Sequence, residues 1–310
     1  MRYGIYLLNR GPAATPKTMS ALALEAEQLG FDTLWVSDHI ITPVEVKSLY
    51  PGAAPGSASP ATAAVDYEPL ITLAYAAGLT QRIRVGVSVL LVPLRNPVYA
   101  AKQIATLDAL CGGRVLLGVG GGWMAEEFPA VGAVPFNRRG AALDEYIEIY
   151  RALWSDDEIS SHDGPLYHLE PMRAFPKPVQ RPGPPIWVGG HSEAAQRRAL
   201  AVGSGWQASH LSPENMAAKV ATLRRLAEER GRDLSGFAIS NRIDAGVGLP
   251  AEKARPDQLF GEPARVAEGL ARYEAAGCTD LLIELQPRDS TAVVLDSLRR
   301  LADVVFPVGR

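Results

Sequence analysis

An aspartate and a histidine stand side by side where a short apolar segment of this 310-residue chain ends. Asp38 and His39 follow directly after residues 33–37, which read TLWVS. A histidine can move a proton near neutral pH, and a neighbouring carboxylate can fix its tautomer or bind the edge of a ligand. The pair therefore suggests acid–base chemistry in a pocket, and a polar pair that only caps the following loop fits the same pattern.

Two glycines end a second apolar segment and lead into a helical pattern. Gly189 and Gly190 follow the letters PPIWV, and Ser192 stands where an Ala-rich helix begins. Serine is a favourable N-cap, and the unpaired N–H groups and the dipole at a helix N-terminus attract anions. The pattern predicts a phosphate site, with a plain helix start after a tight glycine turn as the alternative.

A third stretch, RVLLGVGGGW, looks like a dinucleotide-binding motif but departs from it. Gly118, Gly120 and Gly122 are spaced G-x-G-x-G, and Trp123 stands where the motif requires glycine. Because glycine has no Cβ atom, these residues still let a flat ligand approach the backbone closely. A purely conformational role is equally compatible with the sequence.

These residues follow strand-like segments that alternate with helical ones along the whole chain. Such alternation is typical of parallel βα units, and eight units close a (β/α)8 TIM barrel, here expected as a single domain over residues 1–310. The predicted strands are Tyr3–Leu8, Thr33–Ser37, Ile83–Val89, Arg114–Val119, Pro185–Val188, Gly205–Ser209, Gly236–Asn241 and Asp280–Glu284. The predicted helices are Lys17–Leu29, Pro69–Thr80, Pro97–Leu110, Arg138–Trp154, Ser192–Val202, Pro213–Arg230, Glu262–Ala276 and Ser290–Val304.

Four stretches are longer than the loops of a minimal barrel, and each follows a strand. They comprise residues 41–68, 120–137, 155–184 and 245–261. In TIM barrels the loops after the strands build the active site. The third stretch predicts a small β-hairpin with a proline-rich return, and the fourth is a candidate lid.

The composition favours a small-molecule partner. The formal net charge is -3, and no block of lysines and arginines offers a footprint for nucleic acid or an anionic membrane. The two cysteines, Cys111 and Cys278, lack the spacing of a disulfide framework or a metal site, so both are expected as reduced thiols. No secretory leader and no apolar run of about 18 residues is evident, which predicts a cytoplasmic protein.

Several stretches, taken in this order, resemble one known family. They are GFDTLWVSDHI, RIRVGVSVLLVPLRNPVYAAKQIATLD, GGRVLLGVGGGWMAEEF, RALW and PPIWVGGHSEAAQRRA. Together they resemble the bacterial luciferase-like monooxygenase superfamily, and more narrowly its branch of oxidoreductases that use the deazaflavin coenzyme F420. The resemblance spans nearly the whole chain.

The resemblance implies a cofactor at the C-terminal ends of the strands. Its phosphate would lie on the loop formed by Gly189, Gly190, His191 and Ser192, and a non-prolyl cis peptide at Ser88–Val89 would form a bulge that supports the ring. The residues that match family positions near the cofactor are Asp38, His39, Gly120 and Gly121, with His39 as the candidate proton donor or acceptor.

Two further expectations follow from the resemblance. The stretch GWMAEEF lacks the catalytic glutamate that F420-dependent sugar-phosphate dehydrogenases carry soon after this glycine turn, so Glu126 receives no catalytic role. The polyglutamate tail of F420 would favour cations at the pocket rim, for which Lys47, Arg95, Arg138 and Arg139 are candidates. A homodimer is also implied.

The resemblance thus implies hydride transfer between F420 and a small organic molecule with an enoyl, carbonyl or alcohol group. The alternatives are a two-component monooxygenase that uses flavin mononucleotide (FMN), and a barrel that binds the cofactor without catalysis. Trp35, Trp123 and Trp206, together with the apolar letters VLLV of the third strand, suggest an apolar substrate cavity, and ordinary core positions explain them equally well.

Overall fold

Eight parallel strands close into a barrel in the computed structural model, which describes residues 1–50 and 65–307. The strands are β1 (Arg2–Tyr6), β2 (Thr33–Val36), β3 (Arg84–Leu91), β4 (Val115–Gly120), β5 (Ser160–Asp163), β6 (His168–Met172), β7 (Ile186–Gly189), β8 (Gly205–Ser209), β9 (Ala238–Val247), β10 (Gln258–Gly261) and β11 (Asp280–Leu285). The barrel follows the order β9, β11, β1, β2, β3, β4, β7, β8 and closes where β8 pairs with β9. The predicted TIM barrel is confirmed.

Helices connect successive barrel strands and cover the outside. They are α1 (Pro16–Leu29), α2 (Pro69–Leu79), α3 (Pro97–Leu110), α4 (Glu127–Ala130), α5 (Arg139–Trp154), α6 (Glu193–Val202), α7 (Pro213–Arg230), α8 (Pro263–Ala275) and α9 (Thr291–Val305). Eight of them were predicted to within one or two residues. Their starts follow ordinary capping chemistry: Asn96 caps α3 by accepting from Val98 and Tyr99, and Ser212 caps α7 by accepting from Asn215.

Large side chains fill the barrel. Trp35 lies between Gly4 and Gly86, where a Cβ on Gly4 would come within 2.7 Å of the Trp35 ring. Trp35 is 2% exposed and Trp206 is fully buried. The suggestion that these two tryptophans line a substrate cavity is therefore wrong, because they pack in the core.

The long stretches are only partly irregular, and the expectation that each follows a strand is wrong for residues 155–184, which follow α5. Residues 155–184 contain the predicted hairpin, in which β5 and β6 pair antiparallel. The seventh barrel strand, β9, runs to Val247 rather than ending at Asn241. The short strand β10 pairs in parallel with the C-terminal part of β9. The candidate lid at 245–261 therefore begins and ends in strands, and its movement stays a prediction. Part of the 41–68 stretch lies outside the described residues.

Three further findings concern chemistry away from the barrel mouth. Cys111 and Cys278 are buried free thiols. Among the described residues there is no cluster of histidine, cysteine and carboxylate side chains that could hold a metal ion. No helix in the same part of the chain is both long and apolar enough to cross a membrane.

Candidate active site

The C-terminal ends of the barrel strands surround two adjoining chambers of about 750 Å³ each. The glycine chamber, as we call the first, lies against β4, β7 and β8 and is lined by Gly120–Gly122 and Gly189–Ser192. The second, the polar chamber, is lined by charged and polar side chains at the ends of β1, β2, β9 and β11. Both chambers share a wall formed by Tyr50, Ser88, Val89, Leu91, Trp123 and Arg242.

The shared wall includes an irregular turn of β3. The Ser88–Val89 peptide is cis, and the pairing of β3 with β4 shifts register between Val87 and Leu90, so the predicted cis bulge is confirmed. The Val89 side chain packs against two glycines: a Cβ would stand 2.6 Å from Val89 Cγ2 if placed on Gly120, and 2.7 Å from Val89 Cγ1 if placed on Gly189. Glycine is therefore needed on β4 and on β7 to seat Val89.

The loop after β7, at the position of the predicted anion cradle, leads into α6. Gly190 has φ of 130°, and Ser192 caps α6 through a hydrogen bond from Ala195 N–H to Ser192 Oγ at 3.2 Å. Trp206 Nε1 donates to the Gly190 carbonyl at 2.7 Å, which fixes the loop from below. The first N–H groups of α6 have no helical partner, and Gly190 to Ser192 line the glycine chamber. This arrangement suits a phosphate.

The His191 side chain supports this loop as a neutral imidazole. Its Nε2 accepts a hydrogen bond from Ser209 N–H at 3.2 Å. Burial lowers the pKa of His191 below its ordinary value. The imidazole is therefore neutral near pH 7 and braces the cradle.

The predicted rim cations do not all lie at the chambers. Arg139 lines the glycine chamber, with its guanidinium 3.9 Å from the centre of the Phe136 ring. Arg95 is buried in an ion pair, and Lys47 lies near Glu45, outside both chamber walls. Arg138 is exposed and also lies outside those walls. Arg198, which was not predicted, lines the glycine chamber and pairs with Asp144.

His39 lines the polar chamber next to a buried glutamate. Its Nδ1 lies 3.1 Å from Glu127 Oε2, and Ile40 N–H donates to Glu127 Oε1 at 3.2 Å. The His39 side chain is 9% exposed and that of Glu127 is 1% exposed. A carboxylate that accepts from Nδ1–H leaves Nε2 as the nitrogen for proton exchange with a ligand.

Sequence reasoning missed Glu127. The letters AEEF offer two adjacent glutamates, and only the short helix α4 shows that the second one turns inward. Glu126 instead accepts from Lys47 N–H, Ser48 N–H and Ser48 Oγ at 2.7, 2.9 and 2.7 Å. Burial alone would raise the pKa of Glu126, but these hydrogen bonds lower it to about 2. Glu126 thus anchors a loop.

Asp38 contacts an arginine rather than His39. Its carboxylate accepts from Arg95 Nη1 and Nη2 at 2.6 and 2.9 Å, and from Leu91 N–H at 2.7 Å. Burial alone would lower the pKa of Arg95, but Asp38 raises it above its ordinary value, so the guanidinium stays charged. The interpretation that Asp38 fixes the His39 tautomer is wrong, because Glu127 occupies that place. Asp38 joins the end of β2 to the end of β3.

Most of the remaining charged side chains of the polar chamber form ion pairs. Arg242 lies at the junction of both chambers, 4.7 Å from the centre of the Tyr6 ring, and forms an ion pair with Glu284. Arg288 donates to the other oxygen of Glu284 at 2.7 Å. Arg255 lies 3.3 Å from Asp244. Apolar side chains such as Leu8 and Val89 also line this chamber, and most of its charged side chains are offset by ion pairs.

Comparisons with known proteins agree with this geometry. The family model described as luciferase-like monooxygenase matches residues 1–258. An uncharacterized protein of Mycobacterium tuberculosis (strain ATCC 25618 / H37Rv) is 37% identical over 262 residues, which cover 84% of this chain and 83% of that protein.

Two relatives with named activities match shorter parts. The FMNH2-dependent dimethylsulfone monooxygenase of Pseudomonas putida is 34% identical over 209 residues, or 64% of this chain and 57% of that protein. The F420-dependent glucose-6-phosphate dehydrogenase of Kineococcus radiotolerans is 30% identical over 193 residues, which cover 62% of this chain and 52% of that protein.

Among solved structures, an F420-dependent secondary alcohol dehydrogenase in complex with an F420-acetone adduct has the same fold. It superimposes with a TM-score of 0.80 at 19% identity, covering 100% of this chain and 99% of that one.

Proposed function

The chain belongs to the luciferase-like monooxygenase family and is an enzyme; from this premise we propose that it transfers a hydride between coenzyme F420 and a small polar organic molecule. The observation that carries this proposal is the buried His39–Glu127 pair, which lies beside the wall shared by the two chambers. Reduction of a carbonyl or enoyl group requires a proton as well as a hydride, and His39 is placed to exchange it.

The glycine chamber fits the proposed cofactor. Val89 would support the ring, and the loop from Gly189 to Ser192 would hold the phosphate at the start of α6. A Cβ on Gly121 would meet its nearest neighbour, Arg139, only at 3.7 Å, so the backbone there is open to a flat ligand. Arg139 would provide a cation for the anionic tail. When bound, reduced F420 supplies the hydride.

The protein's own contribution is positioning and proton exchange. His39 would present Nε2 to the substrate oxygen while Glu127 holds Nδ1 and stabilises the imidazolium form. Asp38 and Arg95 would fix the end of β2, from which His39 projects, relative to the bulge that carries Val89. The substrate would occupy the polar chamber, with its reacting carbon toward the shared wall.

A second candidate is an FMN-dependent monooxygenase. The 34% identity with a dimethylsulfone monooxygenase that uses reduced FMN favours it, and the cradle at α6 suits the FMN phosphate equally well.

We also propose that residues 1–310 act as one domain and pair with a second copy. Ile71 and Tyr75 on α2 and Tyr99 on the neighbouring α3 are exposed apolar side chains. A face of this kind suits a homodimer contact. Light scattering of the purified protein tests it, and a monomeric mass would exclude it.

The proposal is tested by titrating the apo protein with oxidised F420 and, separately, with FMN, and then by measuring turnover, with His39→Ala as the variant that should bind the cofactor but lose turnover. Binding of F420, followed by turnover without oxygen consumption when reduced F420 and carbonyl substrates are supplied, is the expected result. Preferential FMN binding with oxygen uptake would instead establish the monooxygenase. Binding of neither cofactor would overturn both.

A further inference from the structure

Gln207 is a buried side chain whose polar atoms have no protein partner. It lies on β8, is 3% exposed, and lines the glycine chamber. In the described part of the chain, neither Nε2 nor Oε1 makes a hydrogen bond. Of the buried side chains there with unpartnered polar atoms, Gln207 is the one that lines this chamber. A buried amide without partners weakens the fold, so its presence points to a group that binds there.

Other glutamines of the molecule are used differently. Gln196 on α6 is fully buried, but its Nε2 donates to the Lys219 carbonyl at 2.9 Å, and it lines neither chamber. Gln180 donates to both Asp108 and the Val115 carbonyl. Gln196 Oε1 also lacks a partner, so Gln207 differs from Gln196 in that its donor is unpaired as well and in that it lines the glycine chamber.

Gln207 lies next to both the start of the cradle loop on β7 and the glycines of β4. Its Cα pairs with that of Gly189, where the anion cradle begins. Its side chain extends toward β4, because a Cβ on Gly118 would lie 2.6 Å from Gln207 Oε1 and 3.3 Å from Val89 Cγ1. The amide thus stands beside the surface formed by Val89 and the glycines.

We propose that Gln207 recognises the lactam edge of the cofactor ring, with Nε2 donating to a ring carbonyl and Oε1 accepting from the adjacent ring N–H. An amide offers one donor and one acceptor side by side, which is the complement of that edge. A carboxylate or a hydrocarbon would leave one or both amide atoms unpaired. The inference rests on the proposed function, and it holds for F420 and FMN alike because both rings carry this edge.

The test compares ligands that share a ring but differ in the phosphate. Riboflavin is paired with FMN, and 8-hydroxy-5-deazariboflavin with F420, and binding is followed by fluorescence. Gln207→Met is expected to weaken both members of a pair equally, by about 10- to 100-fold, because two hydrogen bonds are lost. Ser192→Ala, which alters the cradle, should weaken only the phosphorylated member, and Gln196→Met is the matched control with unchanged binding.

Thermal unfolding of the apo protein provides a second readout. Gln207→Met should keep or raise the Tm, because an apolar side chain of similar length replaces an unpaired amide. If that variant does not fold, Gln207→Glu replaces it; its carboxylate loses the donor and repels the ring carbonyl, so the same loss of affinity is expected.

Three outcomes would speak against the inference or its premise. Unchanged binding of the ring-only ligands by the Gln207 variants would overturn it, and so would a loss confined to the phosphorylated ligands, since Gln207 would then act through the cradle. If the wild-type protein binds none of the four ligands, the proposed function itself fails.

Discussion

The two chambers have about equal volumes but are lined by different kinds of residue. The lining of the glycine chamber includes the glycines of two strand ends, Gly120–Gly122 and Gly189–Gly190, and the start of α6. The lining of the polar chamber includes more charged side chains, and most of these form ion pairs. Under the proposed function, this difference separates cofactor binding from proton exchange across the wall that carries Val89. Changes in one chamber should therefore alter affinity, and changes in the other should alter rate.

The largest effect is expected for His39. We expect His39→Gln to lower kcat by about 10²- to 10⁴-fold, because a positioned proton donor is removed. Cofactor affinity should change little, since His39 lines only the polar chamber. Stopped-flow transfer rates and cofactor titration measure the two quantities. If the variant lost cofactor affinity as strongly as it lost kcat, the proposed division of roles between the chambers would be wrong.

Glu127→Gln should have the next largest effect. The amide can no longer stabilise a charged imidazole, so we expect kcat to fall on the order of 10²-fold, near the lower end of general acid catalysis. Because Glu127 acts through His39, the pH–rate profile is the informative readout, and we expect the profile of Glu127→Gln to differ from that of the wild type.

The adjacent glutamate provides a matched control for Glu127. Glu126→Gln changes the same residue type one position earlier, where the carboxylate contacts Lys47 and Ser48 instead of His39. Its pH–rate profile should overlay that of the wild type. An equal shift in both variants would mean that Glu127 acts on the loop structure and not on the proton.

A change in the glycine chamber should produce the opposite result. Gly190 has φ of 130°, and a Cβ there would lie 2.9 Å from Ala195 Cβ. We expect Gly190→Ala to distort the cradle and to weaken binding of the phosphorylated cofactor about 10-fold or more, as backbone strain of this kind costs ~1–3 kcal/mol. At saturating cofactor, kcat should be close to that of the wild type.

Gly78→Ala is the matched control for this glycine. Gly78 lies inside α2, and a Cβ there would meet no atom within 4 Å. The substitution should leave binding unchanged and stabilise the helix by about 0.5–1 kcal/mol, measured by chemical unfolding.

The same difference between the chambers explains what the sequence could predict. The glycine chamber comes from contiguous motifs, Gly120–Gly122 and Gly189–Ser192, whose local chemistry is visible in the letters. The polar chamber collects single residues from many strand ends, such as Arg242 on β9 and Glu284 on β11. Their pairing depends on the register of a closed barrel, which no local pattern contains.

Partner choice was the least predictable feature of the candidate site. Asp38 and His39 are neighbours in sequence, yet they contact Arg95 and Glu127, respectively. Arg95 reaches Asp38 because the β3 segment ends in a bulge and a short turn, and Glu127 reaches His39 because four residues of the 120–137 stretch form a helix. The element pattern predicted the eight barrel strands, whereas these contacts depend on irregular backbone between the elements.

The smallest expected effect concerns the rim above the shared wall. Glu126 must be ionised to accept its three hydrogen bonds from Lys47 and Ser48. Because its pKa falls from an ordinary 4.5 to about 2 in the folded protein, this anchoring is fully present above pH 4.5 and is lost only as the pH falls toward 2. The amides of Lys47 and Ser48 should therefore stay protected from hydrogen exchange from pH 6 down to about pH 4, after correction for the intrinsic pH dependence. In Glu126→Gln, much of that protection should be lost throughout this range.

The change in kcat should be no more than about threefold, because exposed polar contacts contribute little. Loss of protection in the wild type already near pH 5 would show that another group holds this loop, and a large fall in kcat would show that the rim takes part in separating the two chambers.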